Sequence, residues 1–137
     1  MTNQNITIAE SSYVLVVDDD EATRYALPQL IRHHRPMLLV ETAGSVDETI
    51  QLLAERNFLT IVSDVRMPKE DGIRLIRRVR EKGYRIPVIV MTADVTETIE
   101  DQSFAAGAYA FLRKPLIAKQ FLDALDYAVH YPRTALY

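Results

Sequence analysis

Short, continuous hydrophobic runs alternate along this chain with longer stretches of helical spacing. Five runs rich in Val, Ile and Leu stand out, at residues 13–17, 37–40, 59–62, 87–90 and 108–112. Continuous apolar runs, rather than alternating ones, are typical of strands in a parallel sheet that is covered on both faces. The pattern therefore predicts an α/β fold in which each strand is followed by a helix.

The stretches between the runs carry apolar residues three and four positions apart, which predicts helices with one buried face. Ser45 and Glu48 have the spacing of a capping box at the start of the second helix. The first helical stretch, residues 21–34, contains Pro28, which predicts a kink. The predicted buried faces of the second, third and fifth helices comprise Val46, Ile50, Leu53 and Ala54, then Gly72, Ile73, Ile76 and Val79, and finally Ile117, Phe121, Leu125 and Val129.

The stretch 95–106 has the weakest helical pattern in the chain. Its apolar positions are sparse and it carries Glu97, Glu100 and Asp101. A helix with a thin apolar face is held loosely by its neighbours, and loosely held elements are the ones that proteins move. We therefore expect the fourth helix to be the most weakly anchored.

Composition limits the classes of protein that this chain can be. Its 137 residues are 48% hydrophobic and 26% charged, as in one ordinary globular domain. The absence of cysteine excludes disulfide scaffolds, thiol catalysis and cysteine-bound metals. A net charge of −3 gives no electrostatic reason to bind nucleic acid or anionic membrane, and no apolar run approaches the roughly 20 residues of a membrane span.

These limits give a simple domain organisation. We expect a flexible leader over residues 1–12 without the features of a secretory signal, one domain over 13–130, and a tail over 131–137. The expected location is the cytoplasm. Five strand–helix units favour a flavodoxin-like open parallel sheet with strand order 2-1-3-4-5 and helices on both faces.

Chemically active side chains follow the strands on the edge where such sheets bind ligands. Because the carboxyl ends of strands 1 and 3 are neighbours in this order, their carboxylates should lie a few ångströms apart. Two such charges about 5 Å apart repel by roughly 3 kcal/mol at an effective dielectric near 20. A hard cation such as Mg²⁺ relieves this repulsion. The residues at these ends are Asp18, Asp19 and Asp20, then Asp64, then Thr92, and finally Lys114 before Pro115.

Each of these residues alone has a purely structural explanation. Asp20 fits a helix N-cap, the Thr92 hydroxyl fits a local backbone contact, and Lys114 fits a solvated surface position. The combination is more specific, because an acid cluster, a single acid, a hydroxyl and a lysine occupy the ends of successive strands in that order.

At this level of detail the sequence resembles the receiver domains of two-component signalling, the CheY-like response regulators. The resemblance covers about residues 13–129, which is nearly the whole chain. The matching segments read VLVVDDD at 14–20, SDVRMP at 63–68, DG at 71–72, VMTAD at 90–94 and AAGAYAFLRKP at 105–115.

The resemblance implies a role for each matching residue. Asp64 resembles the phospho-accepting aspartate, Asp19 the direct Mg²⁺ ligand and Asp18 its water-mediated partner. The main-chain carbonyl of Arg66 would complete the protein ligands, together with Asp64 itself. Mg²⁺ is the implied cofactor.

The resemblance also assigns the later segments. Thr92 matches the residue whose hydroxyl binds a phosphoryl oxygen and moves on switching. Lys114 matches the basic residue that contacts the phosphoryl group. Phe111 matches the switch aromatic, although a phenyl ring lacks the hydroxyl that Tyr uses there. The Lys114–Pro115 bond is expected to be cis, which would aim the lysine inward.

The family implies a phospho-accepting switch rather than a turnover enzyme. The phosphoryl donor would be a histidine of a sensor kinase or of a phosphotransfer protein. The output would be a change in the surface formed by the fourth helix, the fifth strand and the fifth helix. That surface would signal to an effector protein or a fused output domain, with a phosphorylation-dependent homodimer as one possibility and no contact with nucleic acid or membrane.

Two less regular positions suggest a modulating pair. Arg66 lies two residues after Asp64, and Asp94 two after Thr92, so the side chains would meet over the pocket mouth. Such a pair would crowd an attacking water and prolong phosphorylation. The alternative is that Asp94 caps the fourth helix, with Glu97 in support, and that Arg66 is solvated.

Two other classes of protein remain open at this stage. A haloacid-dehalogenase-like phosphatase would use Asp18 as nucleophile with Asp20 in a D-x-D pattern, but the acids that follow the lysine, Asp123 and Asp126, fall in a predicted helix. A pseudo-receiver would keep the fold as a binding module without the chemistry. His33, His34 and His130 are expected to be exposed polar residues.

Overall fold

The computed structural model describes residues 12–65, 71–93 and 98–131. The predicted leader up to residue 11 and the tail from residue 132 lie outside the described residues. Strands and helices alternate in five units. The strands are β1 Tyr13–Val17, β2 Leu39–Ala43, β3 Thr60–Asp64, β4 Val88–Thr92 and β5 Ala110–Arg113, and the helices are α1 Glu21–His34, α2 Val46–Glu55, α3 Gly72–Glu81, α4 Thr98–Ala106 and α5 Ala118–Val129.

The strands form one parallel sheet in the order β2-β1-β3-β4-β5, which confirms the predicted topology. One hydrophobic cluster joins the sheet to α2, α3 and α4, and a second joins its other face to α1 and α5. All residues of β3 and β4 are buried, which explains why their apolar residues, 61–62 in β3 and 88–91 in β4, are consecutive rather than alternating. None of the described helices is long and apolar enough to cross a membrane.

The predicted bounds of the edge strands were wrong by about two residues. The second strand was expected at 37–40 but is Leu39–Ala43, and it includes the half-exposed Glu41 and Thr42. Met37 precedes the strand and is 81% exposed. An edge strand has a less buried surface than a central one, so its hydrophobicity does not mark its limits. For the same reason β5 begins at Ala110, two residues later than predicted.

The helix starts follow local capping rules. Asp20 caps α1 by accepting hydrogen bonds from the backbone N–H and the hydroxyl of Thr23. Ser45 caps α2 as predicted, but Glu48 accepts from the N–H of Gly44 rather than from that of the cap residue. Pro28 lies within α1 and is buried.

Most of the predicted helix faces are buried, with two exceptions. Ala54 is exposed near the end of α2, and Thr49 takes a buried place on that helix. Ile117 is 58% exposed because it is the N-cap of α5 rather than part of its buried face.

Helix α4 is the most thinly packed, as the sequence predicts. Ile99 and Ser103 are its only buried residues among those the structure describes. Its C-terminal end is held from α3, since the half-buried guanidinium of Arg80 donates to the carbonyl oxygen of Gly107 at 2.9 Å. The same guanidinium donates to the carbonyl oxygens of Tyr84 and Ile86, which joins three loop positions through one side chain.

A bidentate ion pair joins the end of α1 to α5. Nε and Nη2 of Arg35 donate to Oδ1 and Oδ2 of Asp126, both at 2.7 Å. The hydrogen bonds from Arg35 lower the pKa of the Asp126 carboxyl, burial acts in the opposite direction, and the charge of Arg35 adds to the decrease.

Because of this ion pair, we expect part of the free energy of unfolding to depend on pH. The pKa of Asp126 is lower in the folded state than in the unfolded state. The ion pair therefore contributes fully to the free energy of unfolding above the ordinary carboxyl pKa, about 4, and this contribution is lost as the pH falls through the pKa of the folded state. Urea unfolding of wild type and Asp126→Asn should therefore give a difference in the free energy of unfolding at pH 7 that shrinks below about pH 4. Asp123→Asn is the control. It removes the exposed ion pair with Lys119 and the smallest of the interactions that act on the pKa of Arg35, and it should show little difference at either pH. A difference that grows in acid would contradict this prediction.

Candidate functional site

Four predicted site residues lie at the carboxyl ends of adjacent strands. Asp18 follows β1, Asp64 ends β3, Thr92 ends β4 and Lys114 follows β5. Backbone hydrogen bonds join neighbouring strand ends. The N–H of Asp18 donates to Ala43 O of β2 at 3.0 Å. The N–H of Val65 donates to Met91 O at 2.9 Å and joins β3 to β4, and that of Lys114 donates to Thr92 O at 2.8 Å and joins β5 to β4. The strand order therefore fixes the backbone of the site before any side chain is considered.

The Lys114 ammonium joins two of the carboxylates. Its Nζ donates to Oδ2 of Asp64 at 2.7 Å and lies 3.6 Å from Oδ2 of Asp18, which is an ion-pair distance beyond hydrogen-bond reach. Burial alone would lower the pKa of Lys114. The hydrogen bond and the two negative charges outweigh burial and raise that pKa above its ordinary value. The lysine is thus a charged contact inside the site rather than a solvated surface residue.

Asp18 is buried with one oxygen satisfied and one not. Oδ1 accepts from the N–H of Asp20 at 2.8 Å, whereas the buried Oδ2 has no hydrogen-bond partner. Burial raises the pKa of this carboxyl, and the nearby charges of Asp64 and Asp19 raise it further against the opposing effect of Lys114. The loop after β1 is held in position by Arg24, which donates to the carbonyl oxygen of Asp18 at 2.9 Å.

The other two acids of this loop are placed differently. Asp20 is exposed and acts as the N-cap of α1, which confirms the structural explanation. Asp19 is also exposed, so that it does not share the buried pocket of Asp18. Among residues 12–65, 71–93 and 98–131, no three acidic or histidine side chains converge as a ready-made cation cluster.

The described carboxylates nevertheless fit a hard divalent cation. A buried carboxylate oxygen without a hydrogen bond is costly, and the Lys114 ammonium at 3.6 Å compensates its charge only in part, so that a cation would supply the missing interaction. Carboxylate oxygens next to an open, water-accessible position are the ligands that Mg²⁺ takes. Asp18, Asp64 and the exposed neighbour Asp19 therefore have the donor type and the charge that such an ion needs.

The remaining predicted residues are placed as follows. Thr92 is fully buried at the end of β4, and Phe111 is partly buried in β5, packed against the core on the α4 side. The Lys114–Pro115 bond is cis, as predicted. Arg66 and Asp94 lie outside the described residues, so their predicted roles stay predictions.

Gly72 is a site residue whose role the sequence analysis missed. Its N–H donates to Val65 O at 2.7 Å, and a Cβ built on it would lie 2.6 Å from the carbonyl oxygen of Asp64. Asp71 caps α3 in front of it by accepting from the N–H of Arg74. The DG pair was visible in the sequence, but only the tertiary contact shows that a side chain is excluded there.

Replacing Gly72 with Ala should disturb the site through the backbone. Because the new methyl group meets main chain rather than a mobile side chain, Asp64 must shift. We expect a loss of about 1–3 kcal/mol in the free energy of unfolding, and about tenfold slower phosphorylation of residue 64. Urea unfolding and acetyl phosphate labelling measure the two effects. Gly44→Ala is the comparison, since its Cβ would meet Nη1 of Arg24 rather than backbone. Moving that group loosens its hydrogen bond to the Asp18 carbonyl, which should cost less than displacing the main chain of Asp64. Equal effects of the two variants would contradict this explanation.

The two acids that follow the lysine lie on α5 and are engaged in other ion pairs. Asp123 and Asp126, the acids available to a dehalogenase-like phosphatase, are bonded to Lys119 and Arg35 on the α5 side. His33, His34 and His130 are exposed at helix ends, as predicted.

A parallel 2-1-3-4-5 sheet with a buried acid pair and a lysine at its ligand-binding edge defines a class of phospho-accepting signalling domains. Comparison with known sequences agrees, because the pattern of the response regulator receiver domain matches residues 14–126. The chain belongs to the receiver domain family of two-component systems. Members of this family are phosphoacceptor switches rather than turnover enzymes.

Three relatives illustrate the likeness. The sensory/regulatory protein RpfC of Xanthomonas campestris pv. campestris is 34% identical over 87% of this chain, and the chain spans only 17% of that protein. The signal receiver domain of an HD domain-containing protein from Pseudomonas fluorescens superimposes with a TM-score of 0.82 at 25% identity, covering 92% of both chains. The beryllofluoride-activated NtrC4 receiver domain dimer gives 0.78 at 31% identity, covering 86% of this chain and 96% of that one.

Proposed function

We propose that Asp64 accepts a phosphoryl group from a phosphohistidine of a partner kinase or phosphotransfer protein. A carboxylate oxygen of Asp64 forms a bond to phosphorus as the bond from phosphorus to the histidine nitrogen breaks, and the electron pair stays on that nitrogen. The observation that carries the proposal is the 2.7 Å contact between Lys114 Nζ and Oδ2 of this one carboxylate, beside the buried and half-satisfied Asp18.

The chain's own groups would neutralise the charge that develops on the phosphoryl oxygens. Positioning and charge compensation account for most of the catalysis of phosphoryl transfer. Lys114 is a full positive charge already within reach of Asp64, and the Thr92 hydroxyl on the adjacent strand is a donor to a phosphoryl oxygen. For reset, water attacks phosphorus, the bond to Asp64 breaks, and phosphate and a proton are released.

Asp18, Asp19 and Asp64 are the described residues that would hold Mg²⁺, with the carbonyl of Arg66 as the further predicted ligand. When bound, the ion would neutralise negative charge on a phosphoryl oxygen and on the acid pair. Asp18 keeps its orientation without the ion, because Asp20 and Arg24 hold its side chain and its carbonyl.

The output is proposed to be a shift of α4 relative to β5 and α5 as Thr92 moves toward the phosphoryl group and Phe111 turns inward. Support comes from the thin packing of α4, which lowers the cost of moving it. Hydrogen exchange should therefore change in residues 98–106 when beryllium fluoride and Mg²⁺ are added. Identical exchange with and without this phosphoryl mimic would rule out the proposed switch.

The partners are proposed from the family. RpfC is named a sensory/regulatory protein, and one solved relative is a beryllofluoride-activated dimer. A histidine kinase or phosphotransfer donor, an effector or output domain, and an activation-dependent homodimer are the corresponding proposals here. The cytoplasmic location stays a prediction.

Acetyl phosphate labelling tests the proposal directly. The protein is incubated with acetyl phosphate and Mg²⁺, and the modified residue is mapped by mass spectrometry. We expect one phosphoryl group on Asp64, none when EDTA replaces Mg²⁺, and none on Asp18. Label on Asp18 would indicate the phosphatase alternative, and no label under any condition would indicate a pseudo-receiver.

A further inference from the structure

Phe111 is contacted by a cation from its own strand. The guanidinium carbon of Arg113 lies 5.2 Å from the centre of the Phe111 ring, within the range of a cation–π contact. The two residues are two positions apart in β5, so they lie on the same face of the sheet. On the α4 side, the ring of Phe104 lies 6.5 Å from that of Phe111. The aromatic ring is therefore held by packing rather than by a hydrogen bond.

The same guanidinium reaches helix α4. Nη2 of Arg113 lies 3.6 Å from Oε1 of Glu100, and both side chains are 48% exposed. One side chain thus contacts the ring of Phe111 and the first turn of the most thinly packed helix. Exposed contacts of this kind are individually weak. Weak contacts are nevertheless sufficient to bias an equilibrium between two conformations that differ little in free energy.

We propose that Arg113 is a positioning residue that, together with Glu100, holds Phe111 and α4 in the arrangement seen here and opposes the switched state. This inference rests on the proposed function and explains how the switch works with a phenyl ring. Without a hydroxyl, the ring cannot be fixed by a hydrogen bond at either end of its movement. Instead, the guanidinium of Arg113 holds the ring of Phe111 in place. Its ion pair with Glu100 makes the ring and helix α4 move together.

The consequence is measurable as ligand affinity. If Arg113 stabilises the unswitched state, its removal increases the fraction of molecules that are competent to hold the phosphoryl mimic. The apparent affinity for beryllium fluoride in the presence of Mg²⁺ should therefore increase about three- to tenfold in Arg113→Gln, and Glu100→Gln should have an effect of the same sign. Titrations followed by two-dimensional NMR give the affinities.

Charge alone must be separated from positioning, because Arg113 adjoins Lys114 and beryllium fluoride binds as an anion. Loss of a positive charge by itself would weaken anion binding, which is opposite to the expected result. The Phe111→Leu background separates the two effects further, since it keeps the charges and removes the ring. In that background Arg113→Gln should no longer increase the affinity.

A second arginine–aromatic contact provides a matched control. The guanidinium of Arg56 lies 4.3 Å from the centre of the Tyr13 ring, on another part of the domain. Arg56→Gln loses the same kind of contact and should leave the affinity for beryllium fluoride unchanged. Hydrogen exchange supplies an independent measurement, because residues 98–106 should exchange faster in unliganded Arg113→Gln than in wild type.

The outcomes separate this inference from the proposed function. Failure of wild type to bind beryllium fluoride at residue 64 would overturn the proposed function. Wild-type binding with unchanged or weaker affinity in Arg113→Gln would overturn only the positioning role. An equal gain in the Phe111→Leu background would also overturn it, since the effect would then not pass through the ring.

Discussion

Replacement of Asp64 by Asn is expected to abolish phosphoryl acceptance. The amide has no negative charge and its nitrogen lone pair is delocalised into the carbonyl group, so it is a poor nucleophile toward phosphorus, while its size is nearly that of the carboxylate. We expect the rate of labelling by acetyl phosphate to fall by at least about 100-fold. The measurement is incorporation of the phosphoryl group per protein molecule at fixed Mg²⁺ concentration.

Asp71→Asn is the matched control for this experiment. Asp71 is also an acid in the loop region after β3, and its side chain caps α3 by accepting from the N–H of Arg74 at 2.9 Å. Asn caps helices about as well as Asp, so this variant should fold and accept phosphoryl groups normally. Labelling of Asp64→Asn at the wild-type rate would place the acceptor on another residue and contradict the assignment of Asp64.

Replacement of Lys114 by Met should separate charge neutralisation from metal binding. The variant removes the full positive charge that lies 2.7 Å from Asp64 and would offset the developing phosphoryl charge, and we expect phosphorylation to slow about 100-fold. The same change leaves Asp18 and Asp64 without their shared cation. We therefore expect Mg²⁺ to bind more tightly, and the metal-free protein to lose about 2 kcal/mol of unfolding free energy.

Single-turnover labelling, Mg²⁺ titration by calorimetry and urea unfolding measure these three effects. Lys119→Met is the control, because that lysine is 83% exposed and pairs only with Asp123 on its own helix among the contacts described. It should change none of the three quantities appreciably. Weaker Mg²⁺ binding in Lys114→Met would contradict the view that the ammonium and the metal compensate the same two carboxylates.

The Lys114 contact also shows where sequence reasoning reaches its limit. Spacing and strand order predicted that Lys114, Asp18 and Asp64 would share one edge, and the structure confirms this. The sequence did not predict that Asp19 would be exposed while its neighbour Asp18 is buried with one oxygen that has no hydrogen bond. The difference depends on the conformation of the loop after β1. In that loop the N–H of Asp20 holds the side chain of Asp18, and Arg24 holds its carbonyl oxygen.

The amino-acid sequence by itself determined the alternation of strands and helices, the parallel topology and the identity of the residues at the strand ends. These features follow from local patterns, because burial on both faces makes strands continuously apolar and strand order brings their ends together. Only the tertiary structure decided which side chains touch. The Lys114–Asp64 contact joins residues 50 positions apart, and the close approach of Gly72 to Asp64 and the stacking of Arg113 on Phe111 likewise depend on how finished elements pack. Packing distances of a few ångströms are set by the whole domain, and no local pattern encodes them.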